Sequence, residues 1–460
     1  MRIALIKPPA TYANWYRKPL LGIGYLSAVI RQNGFEEQIF DAYFNGWDQD
    51  ELIKRVIAYN PDLVGITAMT HEINAAAEIA SKIKLKSDVR VVIGGPHITA
   101  LSLQTMEQFS VFDYGIFGEG EKPIIALLNY LDGKNEIDIH DIGGLVFREE
   151  GSIVINKPGE LLNQEELDKL PYPAFHHYYG TDRQALSHKG EKYVMMSSRG
   201  CPYGCYFCMQ VLGRKVRTRS AENIVAEIEY AISAYGAKAI GFQDDVILFN
   251  NSRTYDLLNL LIKTGLSKKI RWAGLVRADL VNEDIIRLAK LSGCTHLEIG
   301  IESGDDEILK RIHKRINTAQ ITKAVDIIKK SGISIKAYFI LGHPYETKES
   351  IKRTHDLAVG LNTDSIAVGL MVPYPGTKIF EMACQGEGGY HLLSQQWDDY
   401  DKYMSKVLDL EGLPHSYLAS AQKKMLLDLY LKNRRYGDLV NYLWHIRKAI
   451  AFGLRKKIGL

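Results

Sequence analysis

"KYVMMSSRGCPYGCYFC", residues 192–208, runs from an apolar stretch straight into a loop that carries three of the chain's five cysteines. The apolar run reads as a buried strand, which places the thiols at its carboxyl end, where parallel sheets and barrels keep their chemistry. Runs of the same kind follow at "AIGFQ" (239–243), "IRWAGL" (270–275), "HLEIGI" (296–301), "IKAYFIL" (335–341) and "SIAVGLMV" (365–372). Each is followed by a helical segment such as "SAENIVAEIEYAISAYG" (220–236). Six such units predict an open, partial (β/α)6 barrel of the TIM type over residues 185–384.

Ahead of it, "RIALI" (2–6), "EQIFD" (37–41), "DLVGIT" (62–67), "VRVVIGG" (89–95) and "DYGIF" (113–117) alternate with helical stretches. This is the rhythm of an α/β doubly wound, Rossmann-like sheet over residues 1–142, with its ligand crevice outside the strands' carboxyl ends. Residues 143–184 read as a hairpin, "GGLVFREEGSIVIN", and a docked linker rich in proline and aromatics, "LPYPAFHHYYG". Residues 385–460 read as a basic helical region, whose last forty residues hold ten Lys or Arg against two Asp.

At 460 residues the chain is long enough for two or three domains with cores of their own. Its 46% hydrophobic and 24% charged residues and its formal charge of +3 fit a globular enzyme, and they exclude a disordered or nucleic-acid-coating chain. "MRIALIKPPA" is too short an apolar run for a signal peptide or a membrane span. Five cysteines, three of them clustered, predict a reducing, cytoplasmic setting without a disulfide framework.

Three thiols admit three readings. A structural zinc ion needs four ligands, and no Cys or His near the C-x3-C-x2-C run completes the set. A redox pair would use Cys205 and Cys208 and leave Cys201 idle. An iron–sulfur cubane can take three of its irons on one loop and keep the fourth open to an exogenous ligand. Cys294 and Cys384 read as inert, so a second cluster is not expected.

"CPYGCYFC", with Phe207 just before the last cysteine, resembles the signature of the radical S-adenosylmethionine (SAM) superfamily. The resemblance implies one 4Fe-4S cluster on Cys201, Cys205 and Cys208, with SAM chelating the open iron. Later segments fall in register with the same family. "FQDD" stands where the family has its Gly-Gly-Glu segment, so Gln243 and Asp244 depart from the pattern expected to hold the SAM amino group. "VRAD" offers Arg277 as a cation for the SAM carboxylate, with a plain salt bridge as the alternative. "IGIESG" implies Glu302 and Ser303 at the ribose hydroxyls. "FILGHPYET" implies Gly342 near adenine, with Glu346 one position late, and "VPYPGT" implies Pro373 at the close of the site.

The amino-terminal turns resemble those of the cobalamin-binding domain fused to many radical SAM enzymes. By that resemblance Thr67, Met69, Thr70, Gly94, Gly95, Pro96, His97, Gly118, Glu119 and Gly120 line the crevice, with ordinary sheet turns as the alternative. "DIHDIG" (138–143) copies the D-x-H-x-x-G cobalamin motif, but it follows the fifth strand and not the first. His140 is therefore not expected beneath cobalt, and cobalamin is expected without a histidine lower ligand.

The family then implies a methyltransferase that uses a deoxyadenosyl radical and methylcobalamin on an unactivated carbon or phosphorus of a small molecule or lipid. A radical cyclase or rearrangement enzyme is the alternative, and a zinc-bound interaction module a remote one. Implied partners are that substrate and an electron donor such as flavodoxin or ferredoxin, with no nucleic acid. The tail "LVNYLWHIRKAIAFGLRKK" (439–457) reads either as a peripheral contact to an anionic membrane or as a packed helix with a solvated basic face.

Overall fold

The computed structural model describes residues 1–9, 18–134, 137–180, 182–401, 407–444 and 447. Part of the "KPPATY" turn and nearly all of the basic tail beyond Trp444 lie outside the described residues. The chain forms two compact units, Met1–Ala185 with Met209–Arg219, and Leu186–Cys208 with Ser220–Leu460.

The first unit is built on β1 (Arg2–Lys7), β2 (Glu36–Asp41), β3 (Leu63–Thr67), β4 (Arg90–Gly94), β5 (Tyr114–Ile116), β6 (Leu145–Glu149) and β7 (Ser152–Ile155), in the order β2-β1-β3-β4-β5-β6-β7. The first five strands are parallel. Their apolar runs are covered on both faces, so Ile3, Ala4, Ile6, Val64 and Ile93 are solvent-free. β1 lies between β2 and β3, which makes the ends of β1 and β3 the switch point where such sheets hold ligands.

The hairpin read as a connector is part of this sheet. β6 pairs antiparallel with β5, Leu145 facing Ile116 and Phe147 facing Tyr114. Its apolar residues cover an edge that would otherwise be open. The following segment is docked as expected: the Ala174 N–H donates to the Gly24 carbonyl (2.9 Å), Tyr178 donates to Asp41 (3.1 Å), and His177 pairs with Glu37 (2.9 Å).

The second unit is built on β8 (Tyr193–Met195), β9 (Ala239–Phe242), β10 (Arg271–Val276), β11 (Cys294–Glu302), β12 (Ser334–Leu341) and β13 (Ser365–Leu370), all parallel and neighbours in chain order. Each returning helix starts on a side-chain cap: Ser220, Asn251, Asn282, Asn317, Thr347 and Thr377 each accept an N–H from three residues on. The caps fix where each strand-end loop stops, and so the width of the rim that carries the cysteines.

The carboxyl-terminal region is not all helical. Tyr390–Leu392 and Leu408–Leu410 form an antiparallel pair ahead of the helix His415–Lys432. That helix closes the edge of β13, where the Gln422 amide donates to the Val368 carbonyl (2.6 Å). Among the described residues no helix is long and apolar enough to cross a membrane.

Candidate active site

The loop that carries Cys201, Cys205 and Cys208 is held by backbone on two sides. The Tyr206 N–H donates to the Ile312 carbonyl (3.0 Å), and the Ile379 N–H donates to the Tyr206 carbonyl (3.1 Å). His313 Nδ1 bonds the Gly204 carbonyl (3.0 Å), and its ring lies 5.3 Å from that of Tyr206. Both His313 and Arg315 take positive φ, 57° and 56°, so the segment Ile312–Arg315 is bent to fit the loop. Sequence reading missed this segment, because "RIHKR" matches no motif and only its bent backbone brings the Ile312 carbonyl and the His313 ring to the loop.

Arg277 reaches the same loop. Its guanidinium carbon sits 3.5 Å from the centre of the Tyr203 ring, Nη1 lies 3.9 Å from Cys205 Sγ, and Nη2 donates to the Lys314 carbonyl (2.9 Å). Nε and Nη2 also face Asp279 (3.0 and 3.3 Å). The fork thus ties Tyr203 and Cys205 to the ends of neighbouring strands, which is a larger task than a surface salt bridge.

Asp244 is likewise occupied. Its carboxylate accepts from the Ser197 N–H (3.0 and 3.1 Å), the Ser197 hydroxyl (2.7 Å) and the Ser198 hydroxyl (2.6 Å), bracing the strand end that leads into the cysteines. Gln243 is exposed, with its N–H on the Met195 carbonyl (2.8 Å). The next residue, Asp245, was not singled out in the sequence. Its carboxyl is pushed up by partial burial and by Asp244, it acts electrostatically on Cys201 and Cys208, and it has no hydrogen bond among the described residues. The signal was the doubled aspartate itself, in which one carboxylate can brace while the other faces a ligand.

Glu302 ends β11 at a break in register with β12 and takes φ 70°. Its buried carboxylate pairs with Lys314 Nζ at 2.9 Å. Ser303 is solvent-free; its hydroxyl lies 3.2 Å from that of Thr354 and accepts the Asp305 N–H (3.2 Å). Gly342 takes φ 94°, a conformation open to glycine, and its N–H and that of His343 both donate to Glu346 Oε2 (2.7 and 3.1 Å). Burial pushes the Glu346 carboxyl up to about 8 and the His343 ring down to about 3. Neither His343 nitrogen has a hydrogen-bond partner of normal geometry, and the ring lies 6.0 Å from that of half-buried Phe207. Pro373 is buried in the turn that leads to Ile379, and so to the cysteine loop.

In the first unit, Thr67, Gly94 and Gly95 meet at the ends of β3 and β4. The Ala68 N–H donates to the Gly94 carbonyl (3.1 Å), and the His97 N–H donates to the Ala68 carbonyl (3.3 Å). Gly95 has φ 98°, and a Cβ there would lie 2.6 Å from Thr67 Oγ1. Met69 is exposed, and its N–H is fixed by buried Glu72 (2.9 Å), which pairs with buried Lys7. Thr70 and His97 are interior, and burial pushes the His97 ring down to about 4. Pro96 opens the short helix Pro96–Ala100, and the Gly118 N–H donates to the Thr99 hydroxyl there (3.1 Å). Gly120 packs against Leu26, and Glu119 is drawn inward to Arg217 (2.8 Å). His140 lies elsewhere: its Nε2 is 3.2 Å from Glu149, beyond the amino end of β5 and away from the crevice.

The donor set itself tests which group fits. The loop supplies three thiols, Cys201, Cys205 and Cys208, where a structural zinc takes four ligands. Thiols spread over separate irons of a cluster meet no such demand. Desolvation by the surrounding loop, with Asp245 and the neighbouring thiols, pushes the Cys208 thiol up to about 12, so that sulfur keeps its proton until a metal displaces it. In the first unit a Cβ at Gly94 would meet only two carbonyl oxygens at 4.0 Å, and one at Gly118 would meet nothing within 4 Å. The crevice rim therefore presents bare backbone to a broad ligand.

Comparison with known proteins agrees. Residues 195–358 match the profile described as the Radical SAM superfamily, and residues 17–128 match that of the B12 binding domain. A Pyrococcus horikoshii protein named an uncharacterized methyltransferase is 30% identical over 443 residues, 94% of this chain and 93% of its own length. The anaerobic magnesium-protoporphyrin IX monomethyl ester cyclase of Rubrivivax gelatinosus is 26% identical, over 80% of this chain and 66% of its own. The cytidylyl-2-hydroxyethylphosphonate methyltransferase of Streptomyces wedmorensis is 25% identical, over 82% and 80%. The fold of the radical SAM methyltransferase TsrM from Kitasatospora setae, solved with cobalamin and a 4Fe-4S cluster bound, superposes with a TM-score of 0.72 over 91% of this chain and 90% of that one, at 18% identity.

Proposed function

Because this chain belongs to the cobalamin-binding radical SAM family, we propose that it is a methyltransferase acting on an unactivated carbon or phosphorus of a small molecule or lipid. The observation that carries the reading is the pair of strand-end sites on one chain: a three-thiol loop clamped at the rim of a partial barrel, and a bare-backbone crevice at the carboxyl ends of β3, β4 and β5. When bound, the cluster, SAM and cobalamin supply an electron, a carbon-centred radical and a methyl group.

The chain's own part is to hold and shield. Cys201, Cys205 and Cys208 take three irons and leave one coordination site for the SAM amino acid. Arg277 locks Tyr203 and Cys205 in place, and its position beside the cluster also suits it to the SAM carboxylate. Asp245 takes the ammonium-accepting task that the family pattern assigns to its glutamate, while Asp244 braces the strand beneath. Glu302, steadied by Lys314, presents its free oxygen to the ribose. Gly342 and Pro373 shape the adenine end, and Phe207 packs beneath it. In the first unit Met69, Gly94, Gly95 and Gly118 form the surface for the corrin. His140, paired with Glu149 beyond the amino end of β5, is not placed to serve as the ligand beneath cobalt.

The experiment is anaerobic turnover with methyl-labelled SAM and a chemical or flavodoxin reductant. Label in an organic product supports methyl transfer. Similarity to the magnesium-protoporphyrin cyclases favours a second reading, ring closure without methyl transfer. Deoxyadenosine with an unlabelled, oxidised product would establish that reading instead.

A further inference from the structure

Residues 436–444 form a short helix that turns its oily stripe outward. Tyr436, Val440, Leu443 and Trp444 fall at positions i, i+4, i+7 and i+8, one face of a helix, and are 60, 65, 49 and 52% exposed. The opposite face is anchored. Tyr442 lies 5.7 Å from buried Tyr430, and Arg435 donates to the Thr363 carbonyl (2.6 Å) and to the Asp364 carbonyl. A surface helix normally hides such a stripe, and exposed apolar patches of this kind mark contact sites.

The charge around the stripe selects what it contacts. Arg434 and Arg447 are exposed on either side of it. The acidic residue within the helix, Asp438, is neutralised by Arg435 at 2.8 Å. From Leu439 to residue 460 the sequence holds no Asp or Glu, but it holds Arg447, Lys448, Arg455, Lys456 and Lys457. A second copy of this chain would bring like charges together. An anionic bilayer pairs with the cations and takes Tyr436 and Trp444 at its headgroup level, where amphipathic aromatic rings settle.

We propose that the face formed by Tyr436, Val440, Leu443 and Trp444 docks the protein in the plane of an anionic phospholipid surface. The inference stands apart from the reaction proposed above. The test is co-sedimentation of the full chain with phosphatidylcholine vesicles and with vesicles containing about three parts in ten phosphatidylglycerol. Binding to the anionic vesicles alone is expected, weakening as salt is raised. Val440→Ser with Leu443→Ser lowers partitioning about tenfold or more. Arg434→Glu with Arg447→Glu keeps the stripe intact and lowers it about fivefold or more per cation, so a misfolded stripe variant leaves the question answerable. Equal binding to both vesicles, no binding to either, or charge variants that bind like wild type would overturn it. So would a dimer in ultracentrifugation that the stripe variant dissolves, since a second copy would then own the face.

Discussion

Glu119→Gln removes one charge from an enclosed ion pair of the first unit. Arg217 Nη1 donates to Glu119 Oε2 (2.8 Å) and to the Leu162 carbonyl (2.9 Å), and Nη2 donates to the Leu212 carbonyl (2.7 Å). Glu119 also accepts the Leu162 N–H (2.9 Å), and the two side chains are 5 and 4% exposed. Glutamine keeps the shape but leaves a buried guanidinium with carbonyl acceptors only. Breaking one side of a buried pair costs about 3–5 kcal/mol, a large part of the roughly 5–15 kcal/mol that holds a domain together. Arg217→Met should cost about as much, because it strands the carboxylate. The double variant should recover about 1–3 kcal/mol of the summed loss, since neither charge is then left alone.

Urea unfolding measures the totals, and amide exchange at Leu162 localises them. A loss of about 3 kcal/mol speeds exchange there roughly a hundredfold. The turn Gly118–Gly120 carries Glu119, so bound cobalamin should also dissociate faster. If Glu119→Gln stays within about 1 kcal/mol of wild type, or if the two single losses simply add, the pair is not the brace described here.

Glu346 gives a pH signature. Its folded value of about 8 lies above the ordinary 4.5, so the fold keeps a proton that the unfolded chain releases. Its stabilising contribution is full below the unfolded value and is lost as pH rises through about 8, an effect on the order of 5 kcal/mol. Glu346→Gln, which mimics the protonated acid, should flatten the melting-temperature profile between about pH 5 and 8, and an unchanged profile contradicts the assignment. Arg277→Lys keeps the charge but loses the fork and the Tyr203 stack, so iron bound per chain should fall several-fold at unchanged helicity, and full iron loading would show the fork is dispensable. His140→Ala should leave the absorption spectrum of bound cobalamin as it is and cost less than about 1 kcal/mol, its partner Glu149 being half-exposed. Loss of a nitrogen-ligated spectrum would place that histidine beneath cobalt after all.

The eleven parallel strands of the two sheets were legible because each is a short apolar run ended by a turn, and that pattern is local. The hairpin's place in the first sheet was not, since nothing within "GGLVFREEGSIVIN" names β5 as its neighbour. The three cysteines were legible from spacing. Their clamp was not: Ile312 and Lys314 contribute through carbonyls, and His313 through a ring that only bent backbone turns toward Gly204, which no sequence pattern records. Asp244 and Asp245 show the same limit. Sequence placed a carboxylate at the end of β9, and only the fold divides bracing from facing the site. Glu119 was read as a crevice residue from its turn, whereas its partner Arg217 lies 98 residues away along the chain.

Metal and cobalamin content after anaerobic reconstitution separates a cluster-bearing, cobalamin-holding chain from a zinc-bound one. The full chain is incubated with iron, sulfide, zinc and hydroxocobalamin and then desalted. About four irons and four sulfides per chain are expected, with one cobalamin. Iron should be lost when Cys201, Cys205 and Cys208 are all changed to alanine, and cobalamin should be retained. Zinc in place of iron, or iron that survives the triple substitution, would rule out an iron–sulfur cluster on these three thiols.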